Sequence, residues 1–180
     1  MTMDTTDNRP IPDSYWVIPE KFLAGAYPGN CDPSLTHLKL TAFLNSGFDT
    51  FFDLTKENEL VPYHSILIED AVFYNRNIIH QRFTITDKGL PSHQNMVVLL
   101  DAIDNSLAAG HKLYLHCWGG IGRTGTTVGC YFVRHGLSGH EALEKLATLY
   151  RTASQSKVFP VSPETQEQVN FVLNWHETST

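Results

Sequence analysis

Short β-prone runs and longer helix-periodic runs take turns along this chain. Phe22-Leu23-Ala24-Gly25, Thr50-Phe51-Phe52-Asp53-Leu54, Ile78-Ile79-His80-Gln81-Arg82-Phe83 and Lys112-Leu113-Tyr114-Leu115 read as four successive strands. Asp32-Pro33 opens a helix that runs to about Asn45, with Gly47 as its stop. Met96, Val97, Leu99, Leu100, Ile103 and Leu107 recur at helical spacing, so a second helix starts near Ser92 and ends at Gly110. Three helices close the chain: Arg123 to about His135, Ser138 to about Arg151 with Glu141 three residues after a Ser138 cap, and Ser162 to about His176. This alternation is the pattern of an α/β domain with parallel strand pairing.

A chain of 180 residues supports one domain with a real hydrophobic core. Residues 1–13 are polar and proline-containing and read as a flexible arm; residues 14–177 form the domain, and Glu177 to Thr180 are expected to fray. The net charge of −6, from 13 Lys and Arg against 19 Asp and Glu, argues against nucleic acid or an anionic membrane as partner. Three cysteines without paired spacing, no secretory apolar segment and no run long enough to span a bilayer point to a reducing, cytoplasmic setting. The nine histidines show no metal-ligand spacing, so neither metal nor cofactor is expected.

The chemistry of the chain concentrates in His116-Cys117-Trp118-Gly119-Gly120-Ile121-Gly122-Arg123-Thr124-Gly125, between the last strand and the helix that follows. A loop closing onto a helix N-terminus aims unpaired backbone N–H groups at one point, and the helix dipole adds partial positive charge there. Gly119, Gly120 and Gly122 allow the tight turns such an amide nest needs. The guanidinium of Arg123 can hold two phosphate oxygens at once, which a lysine cannot. The same converging positive groups favour the thiolate of Cys117, an attacking group for phosphorus. Thr124 at the helix start can donate its hydroxyl to the sulfur when the thiolate must leave again. A cysteine at a strand end is ordinarily a small core residue; that reading leaves the coincidence of Arg123, the glycines and the hydroxyl unexplained.

With its spacing H-C-x5-R-T, this loop resembles the signature of the cysteine-based protein tyrosine phosphatases, and in particular their small dual-specificity branch. Cys117, Arg123 and Thr124 stand at the signature positions. The resemblance implies a central, mainly parallel sheet of four to five strands flanked by helices and no metal. It also implies two-step hydrolysis of phosphomonoesters through a phosphocysteine, with an aspartic acid on a separate mobile loop. His116 is then a supporting residue that stiffens the loop. Trp118, Gly119, Gly120, Ile121, Gly122 and Arg123 form the substrate-binding surface, and oxyanions such as phosphate, sulfate or vanadate are expected inhibitors.

The leaving oxygen of a phosphomonoester needs a proton, and a carboxylic acid is the usual donor. Asp87 is the candidate, in the Gly- and Pro-marked loop Thr86-Asp87-Lys88-Gly89-Leu90-Pro91 before the Ser92 helix. A helix or turn cap is the ordinary role of such an aspartate. Asp53, at the end of a strand, is the rival acid and is expected to tie down a loop instead; Asp101 and Asp104 read as solvated helix surface. Because the first step needs Cys117 ionised and Asp87 protonated, a bell-shaped pH–rate profile is expected.

Weaker signals remain. The segment Pro163 to Phe171 resembles a late family loop that positions the hydrolytic water, with Glu164 where the family has glutamine and Gln166 or Gln168 as substitutes. Cys31 and Cys130 could trap an oxidised Cys117; Cys130 lies in a helix and reads as core. The signature loop carries no lysine, which favours a phosphorylated protein over a highly phosphorylated inositide, and Trp118, Tyr27 and Tyr63 could supply an aromatic rim for phosphotyrosine. An inositol-phosphate or other small phosphomonoester substrate, and a non-catalytic phosphate-binding module, remain the alternatives.

Overall fold

A computed structural model of the chain describes residues 8–177. Its strands are β1 (Ser14–Ile18), β2 (Phe22–Gly25), β3 (Thr50–Asp53), β4 (Ile79–Arg82) and β5 (Leu113–His116). Its helices are α1 (Pro33–Asn45), α2 (His64–Phe73), α3 (His93–Ala108), α4 (Gly122–Arg134), α5 (Gly139–Tyr150) and α6 (Gln166–Leu173). The five strands form one sheet in the order β1-β2-β5-β3-β4, antiparallel between β1 and β2 and parallel elsewhere. The α/β class and the mainly parallel pairing agree with the sequence reading, and the strand before Cys117 takes the centre of the sheet.

Side-chain alternation along the inner strands builds two cores. Leu23, Phe51 and Tyr114 point to one face, against Leu40, Phe43 and Leu44 of α1 and Leu67 of α2. Phe22, Ala24, Phe52, Leu113 and Leu115 point to the other, against Leu99, Leu100 and Ile103 of α3, Val128 of α4 and Leu146 of α5. Burying each such Leu or Phe is worth about 1.5–3 kcal/mol, enough to hold every inner strand from both sides. The register then sets the functional edge: Gly25 and Asp53 both pair with His116, and Asp53 pairs with Arg82, so four strands end in one row.

Local signals locate several helix ends. Asp32 accepts a hydrogen bond from Ser34 N at 2.9 Å with Pro33 next to it, and Ser138 and Glu141 form a reciprocal capping box. Two elements were not foreseen. α2 begins without a side-chain cap and leaves Ile68, Val72 and Phe73 exposed, so its apolar residues are not gathered on one face. β1 is an edge strand held by pairing to β2. The last helix is also shorter than expected: it starts at Gln166, because Thr165 caps it through Gln168 N, and the chain before it runs as an extended loop.

Part of the expected arm is packed. Ile11 is buried, Ser14 Oγ donates to Ile11 O, and Ser154 N donates to Pro12 O at 3.0 Å; residues 1–7 lie outside the described residues. Glu177, expected to fray, holds Arg134 at 2.6 and 2.7 Å, and the rest of that tail lies outside the described residues. Asp101 and Asp104 are not merely solvated either: both pair with Arg134, at 2.9 and 3.1 Å, and tie α3 to α4. Among the described residues no helix is long and apolar enough to cross a membrane, and no group of three His, Cys, Asp or Glu side chains could hold a metal ion.

Candidate active site

Cys117 follows β5 directly, and the loop from Trp118 to Ile121 turns into α4 at Gly122. Three loop carbonyls are occupied by neighbours: Tyr27 N donates to Trp118 O at 2.8 Å, Gln155 Nε2 to Gly119 O at 3.3 Å and Ser162 Oγ to Ile121 O at 2.8 Å. Among the described residues the amides of Trp118 to Gly122 donate no hydrogen bond. A loop that spends its acceptors on the protein and keeps its donors free is a ready anion site. Gly120 is required here: its φ is +68°, and a Cβ would stand 2.3 Å from the carbonyl carbon of Gly25.

Cys117 lies near the floor of a cavity of about 410 Å³ whose lining also includes Asp87, Lys88, Arg123, Glu164 and two aromatic residues, Trp118 and Phe159. Arg123 is buried, 2% exposed; both terminal nitrogens of its guanidinium are engaged, while its buried Nε has no hydrogen-bond partner among the described residues. Nη1 donates to Glu59 Oε2 at 2.9 Å and to Ile85 O at 3.1 Å; Nη2 donates to Glu59 Oε1 at 2.7 Å and to Asp87 Oδ1 at 3.1 Å. Burial works against the cation, but Glu59, Cys117 and Asp87 together raise the Arg123 pKa above its ordinary value. Burial likewise works against the Glu59 carboxylate, yet the Arg123 hydrogen bonds and a backbone bond from Lys56 hold its pKa below the usual range.

Asp87 sits on a turn closed by Gly89 N donating to Thr86 O at 2.8 Å, with Lys88 in the left-handed region at φ +57°. This places its half-exposed carboxylate in the cavity that contains Cys117. Asp53, the rival acid, is wholly buried and turned to structural duty: it accepts from Thr55 N and Oγ1 at 2.8 and 2.6 Å and from Arg82 Nη2 at 2.9 Å. Burial opposes its ionisation, but the Thr55 and Arg82 hydrogen bonds hold its pKa below the usual carboxylate range.

His116 is buried, and desolvation lowers its pKa despite the pull of Asp53, so the ring is neutral. Its Nδ1 lies 3.3 Å from Cys117 O and its Nε2 2.7 Å from Tyr63 Oη. A carbonyl only accepts, so Nδ1 carries the proton and the Tyr63 phenol donates to Nε2. Tyr63 is itself buried, and desolvation keeps its phenol protonated. The Tyr63–His116 pair therefore braces the carbonyl of Cys117 from beneath.

Other expectations are corrected. Tyr63 and Tyr27 are not rim residues: Tyr63 is buried under His116, and Tyr27 is buried with its hydroxyl on Val61 O, on the far side of Trp118. The Thr124 hydroxyl is buried and makes no hydrogen bond among the described residues, so the bond to sulfur is not formed in this state. Glu164 lines the cavity and pairs with Lys88 at 3.4 Å. Gln166 faces solvent on Asn170. Gln168 is buried and spans two loops, accepting from Glu164 N and Thr165 N at 3.1 Å and donating to Gly89 O at 3.2 Å. Cys130 is buried with its thiol pKa raised by desolvation, as a core residue, and Cys31 is exposed.

Two residues of the site were missed. Glu59 stands in the polar run Lys56-Glu57-Asn58-Glu59, which resembles any solvated loop; its one legible signal is that it follows β3 at the sheet edge that also carries Cys117. Phe159 lies in Val158-Phe159-Pro160-Val161, whose three apolar side chains are exposed, an arrangement that marks a contact surface rather than a core.

Comparison with known proteins agrees with this fold. Residues 14–172 match the family model described as PTP-SAK, Swiss Army Knife protein, DSP-PTPase phosphatase domain. The chain is similar to dual specificity protein phosphatase CDC14B of Mus musculus, 25% identical over 126 residues that make up 68% of this chain and 24% of that protein. The chain thus spans about a quarter of that relative's length. In fold it is similar to Tk-PTP in its active form, with a TM-score of 0.64, 23% identity and coverage of 90% of this chain and 96% of that one. It is also similar to the core catalytic domain of PP-IP phosphatase SIW14 from S. cerevisiae, with a TM-score of 0.64, 16% identity and coverage of 91% and 85%.

Proposed function

The chain belongs to the DSP-PTPase phosphatase family, and from that premise we propose that it hydrolyses phosphomonoesters on proteins, phosphotyrosine foremost, through a phosphocysteine on Cys117. The observation that carries this reading is the composition of the cavity: Cys117 and Arg123 at the floor, and the aromatic side chains of Trp118 and Phe159 in its lining. A phosphorylated ring is a flat apolar body with a dianion at its tip, and such a cavity complements both parts. Lys88 is the one other cation in the lining and is already paired with Glu164, so a compound carrying many phosphates would meet carboxylates rather than free positive charge.

In the first step the Cys117 thiolate attacks phosphorus while the loop amides and Arg123 bind the phosphoryl oxygens, and Asp87 gives its proton to the departing oxygen. In the second, Asp87 takes a proton from water as that water attacks phosphorus and the thiolate leaves, with the unpartnered Thr124 hydroxyl as a prospective donor to it. Glu59 positions Arg123, and His116 positions the Cys117 carbonyl. Phosphate release from phosphotyrosyl peptides, phosphothreonyl peptides and inositol phosphates, each measured against Cys117→Ser, tests the assignment. Turnover of peptides supports it. Turnover of inositol phosphates alone moves the chain to a small-molecule reading, which the likeness to a protein named a PP-IP phosphatase keeps in view. No turnover above the Cys117→Ser background would leave a phosphate-binding module.

A further inference from the structure

A second cavity, of about 310 Å³, opens beside the first, and the two share one wall, Trp118. It lies between the loop after β2 and the loop after β3, with Tyr27, Asn30 and Val61 in its lining. Its position relative to Cys117 is held by two bonds: Tyr27 N donates to Trp118 O at 2.8 Å, and Tyr27 Oη donates to Val61 O at 3.0 Å. Trp118 itself is 59% exposed, so its indole partitions two spaces instead of filling a core.

Lys39 of α1 is the one charged side chain in this lining. Among the described residues it makes no hydrogen bond and no ion pair, although most other cations near the sheet edge are paired: Arg82 with Asp53, Lys88 with Glu164 and Arg123 with Glu59. Across the α1–α2 contact Asp70 is engaged as well, held by His37 of α1 at 2.8 Å. A partly buried lysine with no such partner among the described residues, in a cavity that abuts the proposed phosphate site, suits recognition of a second, single negative charge.

We propose that this cavity is a specificity subsite for an acidic side chain lying one or two residues from the phosphotyrosine of a protein substrate, with Lys39 as its specificity-determining residue. The inference rests on the protein-phosphatase reading. Consecutive Cα atoms lie about 3.8 Å apart, so a peptide with its phosphotyrosine on one side of Trp118 carries its next side chains across to the other. One point charge suits a carboxylate; it offers neither the several cations nor the fork that a second phosphate group would draw on.

Phosphotyrosyl peptides that differ only by Glu, Gln or Lys at each flanking position test it, assayed with the wild type, Lys39→Met and Lys39→Glu, alongside p-nitrophenyl phosphate. The expected result is a flanking position at which Glu exceeds Gln about fivefold in kcat/KM for the wild type. Lys39→Met abolishes that difference, and Lys39→Glu reverses it in favour of Lys at the same position. All three proteins turn over p-nitrophenyl phosphate equally, which shows each to be folded. If the Glu to Gln ratio is the same in Lys39→Met as in the wild type, or no position discriminates, the subsite is overturned while the phosphatase reading stands. If p-nitrophenyl phosphate is hydrolysed but no peptide is, the protein-substrate reading falls and the subsite falls with it.

Discussion

Glu59 grips Arg123 with both carboxylate oxygens, 2.7 Å to Nη2 and 2.9 Å to Nη1, and Asp87 shares Nη2 at 3.1 Å. The two carboxylates differ in consequence. Glu59 approaches from outside the cavity lining and fixes the plane of the guanidinium, whereas Asp87 stands within the lining, where the phosphoryl group must come. In the proposed mechanism substrate and Asp87 compete for one nitrogen, so that binding of the phosphoryl group would release Asp87 toward the leaving oxygen.

Replacing Glu59 by Gln keeps the shape of the side chain but removes the charge and one of the two acceptors. We expect kcat/KM to fall about 10–100-fold, the cost of letting a catalytic group drift by about an ångström. Inhibition by phosphate should weaken in parallel. Steady-state kinetics with a phosphate inhibition series decides this; unchanged kinetics would mean that the loop alone orients Arg123.

Asp87→Asn removes the proton donor without emptying its position. For a phosphotyrosyl peptide kcat should drop about 10²-fold or more, and less for an ester whose leaving group is already a good one. The basic limb of the pH–rate profile should flatten. An equal loss on both esters with the limb intact would assign the proton to another group.

Gly120→Ala asks a Cβ to occupy space 2.3 Å from Gly25 C and 2.5 Å from Gly25 O, at a φ of +68°. Both obstacles are backbone, so the loop must move. The variant should lose well over 1 kcal/mol of stability and also bind vanadate or phosphate more weakly. A denaturation curve and an inhibition constant report the two effects separately, and a variant with wild-type values for both would contradict the packing.

His80 supplies a pH dependence of stability. Its ring is 11% exposed beside His64 at 4.5 Å between ring centres, its Nε2 has no hydrogen-bond partner, and burial followed by His64 lowers its pKa to about 4. Between about 6.5 and 4 the unfolded chain binds the extra proton and the folded one does not, so stability falls as pH drops through that window. This residue alone removes about 2 kcal/mol between pH 7 and pH 5. His80→Phe keeps the ring and removes the titration. Urea midpoints at the two pH values should converge by that amount, leaving the slope that His116 contributes in the same direction.

How much of this was legible in the residues depended on how local the signal was. Gly47 at φ +88°, Gly110 at φ +86° and the Ser138–Glu141 box mark helix ends through chemistry contained within a few residues, and they fell where the sequence placed them. The turn from β5 into α4 was legible for the same reason, since Cys117, the glycines and Arg123 are contiguous. α2 was not, because its helicity follows from packing on α1 and the sheet rather than from a cap or a clean apolar face. Glu59 reaches Arg123, and Phe159 the cavity, across 58 and 42 residues of chain from Cys117, and nothing in their own neighbourhoods distinguishes them from surface. Tyr63 was the reverse case: an aromatic near the right edge, taken for the rim, that the fold spends on bracing His116.

The row in which Gly25, His116 and Asp53 pair side by side also divides the labour of the molecule. Everything that must not move is anchored at or behind that row, in strands gripped on two faces. What touches the rest of a substrate, the turns that follow β2, β3 and α5, hangs in front of it. Such an arrangement makes substrate preference adjustable at chosen positions: a library in these turns that keeps Tyr27, Glu59, Tyr63, Gln155 and Ser162 would vary the surface offered to substrate while the seat of the sulfur stays held.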